Sequence, residues 1–139
     1  MPVVSHAEPV NPPGQPPLTR EQVWRGLVLK AEDPARFVPA ITAGRVLERF
    51  EGGLVREATH AGHTLRERVL FDPPREVAFE RLDGPGRVLN TLSDGPDGLV
   101  LTFTFEVADA EADGVRSEAP EAVRSTLRAT RELLAGGGS

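Results

Sequence analysis

Four polar residues on β-prone segments have the types and spacing for anion binding or acid–base chemistry: Arg56, Glu67, Arg81 and Asn90. Two arginines around one glutamate leave a net positive charge, and a guanidinium can hold a carboxylate, phenolate or enolate through two parallel hydrogen bonds. Buried charges are stable only when they are paired and hydrogen-bonded. The same residues therefore also fit a structural ion-pair network, or a cluster at the open rim of a sheet.

Turn lengths predict that this cluster shares one face of a sheet, because side chains alternate between the two faces of a strand. The short loop at residues 60–63 sets Arg56 opposite Glu67. An odd-length loop around Pro73 sets Arg81 beside Glu67, whereas an even-length loop would set Glu80 against Glu67 and repel. The same face is expected to present apolar ligand contacts, which are Val69, Phe71, Phe79, Leu101, Phe103 and Phe105.

Two short helices are predicted within residues 18–41, ahead of these segments. Thr19 and Gln22 have the spacing of a capping box, and apolar side chains then recur at helical spacing. A second short helix is expected to begin at Pro34, since proline suits the first helical turn. Phe37 is expected to close one end of the ligand pocket.

Short strands are predicted along most of the chain. The first lies at residues 3–8, and six more follow the helices, at residues 45–50, 54–60, 63–71, 76–82, 87–92 and 99–107. Because short turn sequences separate these six segments, consecutive strands are expected to pair antiparallel.

A closing helix is predicted at residues 118–135, with Pro120 in its first turn. Val123 and Leu127 fall on the side that we expect to face the ligand. The acid-rich stretch at residues 106–121 is interpreted as a solvated loop that leads into this helix.

No metal or cofactor is expected. His60 and His63 flank a glycine-containing turn with no third ligand near them in sequence, which is typical of a turn pair at a pocket mouth. The absence of cysteine excludes disulfides, thiolate nucleophiles and cysteine-based zinc sites. No nucleophile elbow, HExxH motif or Ser-His-Asp arrangement is recognisable, so Glu67 is the one candidate catalytic residue if the protein is an enzyme.

Composition restricts the partners. The 139 residues suffice for one domain with a real core, and a hydrophobic fraction of 39% is typical of a soluble globular protein. A net charge of −5 argues against nucleic acid, and no apolar run approaches the roughly 18 residues of a membrane helix. Lys30 is the only lysine among sixteen basic residues. The N-terminal residues have no signal-peptide pattern, so we expect a cytoplasmic protein, either a monomer or a homodimer.

Several local motifs carry a resemblance to a known family. They are Asn11 and Pro12 ahead of LTREQVWRGLVLKA, FVPAI at residues 37–41, GLVRE at 53–57 and RERV at 66–69. On these motifs and the order of its elements, the chain resembles the START and Bet v 1-like (SRPBCC) superfamily over residues 3–135, and within it the small AtaL-like family.

The resemblance implies an α+β helix-grip fold. In that fold a curved antiparallel sheet of about seven strands carries two short helices after strand 1, and a long C-terminal helix lies over its concave face. A single START/Bet v 1-like domain is then expected over residues 1–139, with a proline-rich connector at 9–17 and a flexible tail at 136–139.

The resemblance also implies an internal hydrophobic cavity for a small ligand. Because no aromatic residue follows Phe105, the last helix is expected to offer this cavity only small and aliphatic groups. The first hypothesis is a non-catalytic protein that binds an apolar or aromatic anion. The second is a metal-free cyclase or dehydratase for a polyketide-like substrate, with Glu67 as general base and Arg56 or Arg81 stabilising an enolate. The third is a protein-interaction module whose cavity is vestigial.

Overall fold

A computed structural model of the protein describes residues 1–135 and shows a seven-stranded antiparallel sheet with a long helix near the C-terminus. The α+β helix-grip architecture predicted from the sequence is confirmed. In chain order the elements are β1 Val3–Pro9, α1 Arg20–Glu32, a 3-10 helix Pro34–Arg36, β2 Ile41–Phe50, β3 Gly53–His60, β4 His63–Asp72, β5 Glu76–Arg81, β6 Arg87–Gly95, β7 Gly98–Glu106, a 3-10 helix Asp109–Glu111, α2 Ala112–Thr130 and a π-helical turn Arg131–Ala135.

The strand order across the sheet is β1-β7-β6-β5-β4-β3-β2. Strands β2 to β7 form a meander, because the turns between them are too short for any other connection. β1 closes the far edge by pairing with β7. Consecutive strands β1 and β2 thus lie at opposite edges, and α1 connects them across the sheet.

The register of the central strands is the one predicted from turn lengths. Arg56 pairs with Glu67 between β3 and β4, and Glu67 pairs with Arg81 between β4 and β5. Phe79 pairs with Val88 between β5 and β6. The polar cluster and the phenylalanines therefore share one face of the sheet.

The start of α1 follows its local sequence. Thr19 Oγ1 accepts a hydrogen bond of 3.2 Å from Gln22 N, and Gln22 Oε1 accepts one of 2.8 Å from Thr19 N. This is the predicted capping box, which satisfies two backbone donors that the first helical turn leaves free. The second predicted helix is a single 3-10 turn, Pro34–Arg36, after which Phe37 is buried.

The prediction for the last helix is wrong at its N-terminal end. α2 begins at Ala112, so much of the acid-rich stretch interpreted as a loop is helical, and Pro120 is the ninth helical residue instead of a first-turn residue. Asp113 lies in the first turn, where a negative charge favours the positive end of the helix dipole. The tail predicted at residues 136–139 lies outside the described residues.

The two halves of α2 lie over different parts of the sheet. Its second half packs closely on α1, since a Cβ at Gly26 would lie only 2.3 Å from Thr130 Oγ1. A filled core lies beneath, including Val10, Leu18, Leu27, Leu54, Val77 and Leu92. Its first half covers a cavity instead. Within residues 1–135, no helix has the length and apolar character needed to cross a membrane.

Candidate functional site

A cavity of about 450 Å³ lies between the sheet and the first half of α2. Strands β3 to β7 form its floor, and the segment after the first 3-10 helix, which includes Val38, forms one side. The turn that contains Pro85 and Gly86 forms another. Exposed residues of α2 such as Glu118 are part of the wall, so the cavity opens to solvent along this helix.

The wall is mostly apolar. Phe79, Phe103 and Phe105 contribute aromatic rings from the sheet. α2 contributes Val115, Ala119 and Ala122 but no aromatic group, and carboxylates stand at the edge of this wall. Such a surface favours flat, apolar molecules, because the rings bury a large area with little loss of side-chain entropy.

Arg56 and Glu67 form a buried ion pair in the cavity floor. The Arg56 Nε and Nη2 groups donate hydrogen bonds of 3.0 and 2.8 Å to Glu67 Oε1, and the two side chains are only 5% and 8% exposed. Arg56 Nη1 donates to the backbone carbonyls of Lys30 and Ala31, which joins β3 to the end of α1. Both hydrogen bonds to Glu67 reach Oε1, which leaves Oε2 without a protein donor within residues 1–135.

Lys30 is a functional candidate that the sequence reasoning missed. Its Nζ donates a hydrogen bond of 3.0 Å to Asn90 Oδ1 and lies 4.6 and 4.9 Å from the ring centroids of Phe79 and Phe103. Helical spacing could have identified it, because Lys30 follows Val23 by seven residues and therefore lies on the same buried face of α1.

The surroundings of Lys30 lower the pKa of its side-chain ammonium group. Burial lowers the pKa of Lys30 from 10.5 to about 7, and the nearby charge of Arg56 acts in the same direction. The carboxylate of Glu67 has a smaller, opposing effect on this pKa. Close to neutral pH the site therefore holds a substantial fraction of uncharged amine.

Arg81 joins the cavity wall but does not pair with Glu67 as the cluster hypothesis implied. Its guanidinium turns back toward Asp83, with Nε 3.4 Å from Asp83 Oδ1. Asn90 is fully buried behind the wall, where it contacts Lys30. Arg81 Nε and Asn90 Nδ2 are buried donors without a hydrogen-bond partner in the described part of the chain. Buried polar groups are rarely left unpaired.

The other residues expected to contact the ligand lie in the packed half of the molecule. Phe37 is buried, and its carbonyl accepts a hydrogen bond of 2.6 Å from Ser125 Oγ. Phe71 packs edge-on against Trp24, with ring centroids 6.3 Å apart. The remaining four are members of the hydrophobic core, namely Val69, Leu101, Val123 and Leu127.

The two histidines that flank the turn between β3 and β4 have different surroundings. His60 lines the cavity, with its Nε2 3.3 Å from Glu118 Oε2, whereas His63 is exposed. Across residues 1–135, no three histidine or acidic side chains are grouped so that they could hold a metal ion.

Comparison with known sequences identifies relatives over almost the whole chain. The AtaL family model, described as acetylaranotin biosynthesis cluster protein L, matches residues 4–137. Acetylaranotin biosynthesis cluster protein L of Aspergillus terreus (strain NIH 2624 / FGSC A1156) is 32% identical over 124 residues. The match covers 83% of this chain and 72% of that protein.

Solved structures share the fold at low sequence identity. The di-domain ARO/CYC BexL from the BE-7585A biosynthetic pathway matches with a TM-score of 0.67 and 13% identity, covering 94% of this chain. The match covers 48% of BexL, so this chain spans about half of its length. The Zhui aromatase/cyclase from Streptomyces sp. R1128 matches with a TM-score of 0.62 and 22% identity, over 99% of both chains.

Proposed function

This chain belongs to the AtaL family, and we propose that it binds a small, largely apolar molecule in the cavity beneath α2. The observation that carries the proposal is an apolar cavity of about 450 Å³ with its polar groups gathered on the floor. Small-molecule sites typically have volumes of about 300–1,000 Å³ and a few convergent polar groups in an apolar wall. Both properties apply here.

The preferred ligand carries an anionic or strongly polarised oxygen on an aromatic or polyketide-like frame. The rings of Phe79 and Phe103 accommodate the frame, while Lys30 and Arg81 stand where its oxygen would reach the floor. Arg81 Nε makes no hydrogen bond within residues 1–135, although Asp83 Oδ1 lies 3.4 Å away, so a ligand oxygen could supply the missing acceptor. Aromatase/cyclases share this fold, which supports the polyketide-like frame.

Native mass spectrometry and calorimetry test this proposal. A small molecule retained through purification would identify the ligand class directly. With 2-naphthoate as a probe, we expect saturable binding that the Arg81→Gln variant weakens by about tenfold, because a hydrogen bond to a charged group contributes roughly 1.5–3 kcal/mol. Binding of the neutral analogue 2-naphthalenemethanol should change much less.

Arg75→Gln is the matched control, since Arg75 is exposed on the turn before β5 and does not line the cavity. Equal affinity of the Arg81→Gln variant and the wild type for both probes would remove Arg81 from the site. No binding of any apolar probe would overturn the proposal and favour the protein-interaction hypothesis.

A cyclase or dehydratase is the second candidate, and one observation favours it. Glu67 Oε2 is free of protein donors within residues 1–135, on a residue that lines the cavity, so it can accept a proton from a bound ketone. Exchange of the α-protons of 1-tetralone in deuterium oxide, followed by NMR, measures this step. We expect catalysed exchange that Glu67→Gln abolishes while 1-tetralone still binds; exchange no faster than in buffer would exclude a general base at this position.

A further inference from the structure

The only lysine of the chain stands in an unusual position for a buried cation. Lys30 is 5% exposed, and within the described residues its Nζ forms no ion pair. The nearby carboxylate, Glu67, receives its hydrogen bonds from Arg56 instead. A buried ammonium without an ion-pair partner is unfavourable relative to the neutral amine.

The surroundings of Lys30 Nζ are those of a usable nucleophile. Lys30 lines the cavity, and its Nζ lies 4.6 and 4.9 Å from the ring centroids of Phe79 and Phe103. Asn90 Oδ1 accepts one of its hydrogen bonds and holds it in place. Since burial lowers the pKa of Lys30 to about 7, the unprotonated form that attacks a carbonyl is abundant at neutral pH.

A second feature next to Lys30 points to an oxygen-bearing ligand. Asn90 Nδ2 belongs to the same amide whose oxygen holds Nζ, yet this donor is buried and has no acceptor among residues 1–135. Arg81 lines the cavity, and its Nε is likewise buried without a hydrogen bond among residues 1–135. A ligand with a second carbonyl group close to its reacting carbonyl could give Arg81 Nε an acceptor.

We propose that Lys30 forms a covalent imine with a 1,3-dicarbonyl ligand in this cavity, an inference that rests on the ligand-binding function proposed above. The Nζ lone pair attacks one carbonyl carbon, and the carbonyl oxygen leaves as water with the two amine protons. A C=N bond replaces the C=O bond, and no oxidant or reductant is needed. Tautomerisation yields an enaminone, whose remaining carbonyl oxygen can accept a hydrogen bond from Arg81 Nε in the cavity wall.

The probe is 1-phenylbutane-1,3-dione, incubated with the full-length protein near neutral pH. We expect one adduct per chain, heavier by the mass of the probe minus water, with a new near-ultraviolet absorption band from the conjugated enaminone. Peptide mapping should place this adduct on Lys30 and not on the N-terminal amine, the only other primary amine of the unmodified chain. The monoketone 1-phenylbutan-1-one should bind but give no stable adduct.

Two variants separate this chemistry from simple surface reactivity. Lys30→Arg keeps a cation but cannot form an imine, so the adduct should disappear while circular dichroism reports the fold. Arg25→Lys in that background moves the lysine to an exposed position of α1. At pH 7 its adduct should form more than about tenfold more slowly, since an exposed lysine of pKa about 10.4 is almost fully protonated.

The pH dependence of the reaction provides a further criterion. The adduct rate should rise with pH and reach half its maximum near pH 7, following deprotonation of Lys30. The other titratable groups that line the cavity are Arg56, His60, Glu67, Arg81, Arg87 and Glu106 of the sheet, Glu111 of the second 3-10 helix, and Glu118 and Glu121 of α2. Of these, Arg56 and Glu67 are the ones whose charges shift the pKa of Lys30.

Three results would overturn the inference: an adduct confined to the N-terminal amine, equal reaction of the Arg25→Lys control, or calorimetric binding of the diketone with no covalent mass. The last result would leave the proposed ligand-binding function intact. A different result would overturn the ligand-binding proposal itself, namely that calorimetry detects no binding of the diketone, the monoketone or 2-naphthoate.

Discussion

Arg56 connects three parts of the molecule through one side chain. It pairs with Glu67 on the next strand and donates hydrogen bonds to the backbone carbonyls of Lys30 and Ala31 at the end of α1. A buried carboxylate that loses its partner keeps the full penalty of desolvation. The stability of the cavity floor therefore depends on this residue.

Arg56→Gln should lower the free energy of unfolding by about 3–5 kcal/mol, as expected when one member of a buried ion pair is removed. Denaturant unfolding followed by circular dichroism measures the change. Arg45→Gln is the matched control, because it breaks an exposed pair with Glu57 that should contribute no more than about 1 kcal/mol. Similar small losses in both variants would contradict a structural role for the buried pair.

The lowered pKa of Lys30 has a consequence for stability. Between pH 7 and 10.5 the unfolded chain binds a proton at this lysine that the folded chain has released, so the free energy of unfolding rises with pH in this window. Relative to Lys30→Met, which cannot titrate there, the wild type should gain up to about 1.4 kcal/mol per pH unit. Unfolding of both proteins in urea at pH 7, 8.5 and 10 measures this gain, and a constant difference would contradict the shifted pKa.

At the level of elements, the contact between α1 and α2 depends on a glycine. Gly26 faces Thr130 so closely that a Cβ would lie 2.3 Å from its Oγ1 and 2.8 Å from its Cγ2. Gly114, in the first turn of α2, has no such neighbour within 4 Å. The same substitution at these two helical glycines should therefore have opposite effects.

Gly26→Ala should destabilise the protein by about 1–3 kcal/mol through overpacking, whereas Gly114→Ala should stabilise it by roughly 0.5–1 kcal/mol because alanine favours the helix. Thermal and denaturant unfolding of both variants distinguish the two signs. Adding Thr130→Ala to Gly26→Ala should restore part of the loss, since it removes the two nearest atoms. No recovery in the double variant would indicate that the contact is not the cause.

At the scale of the whole molecule, α2 divides the space over one face of the sheet into a packed region and a cavity. Its second half closes on α1 over a filled core, and its first half spans an unfilled space with Ala119 and Ala122 in the wall. Small side chains on this helix keep the space open. The space beneath α2 thus depends on where this helix lies over the sheet and on the small side chains that it presents there.

Ala122→Phe should fill the cavity from the helix side. We expect the affinity for 2-naphthoate to fall by more than about tenfold, which corresponds to a loss of about 1.4 kcal/mol in binding free energy. Calorimetry measures the affinity, and Ala110→Phe, at an exposed position outside the wall, is the control that should leave it unchanged. Unchanged binding to the Ala122→Phe variant would place the ligand elsewhere.

Features that depend on near neighbours in the chain were determined by the sequence itself. The capping box depends only on Thr19 and Gln22, three positions apart. The pairing of Arg56 with Glu67 follows from loop length, because a strand reverses its faces with each residue, and the pairing of Glu67 with Arg81 follows from avoiding a repulsion between Glu80 and Glu67. The resemblance to the AtaL family likewise rested on short motifs and on the order of elements.

Only the tertiary structure decided which inward-facing residues meet the cavity. Loop parity assigns Val69 and Phe79 to the same face, and both belong to the hydrophobic core, yet only Phe79 also lines the cavity, since the docking of α2 closes one region and not the other. Lys30 enters the site from a helix 26 positions before Arg56, and Arg81 turns away to Asp83. These placements depend on packing between distant segments, which no local pattern in the chain encodes.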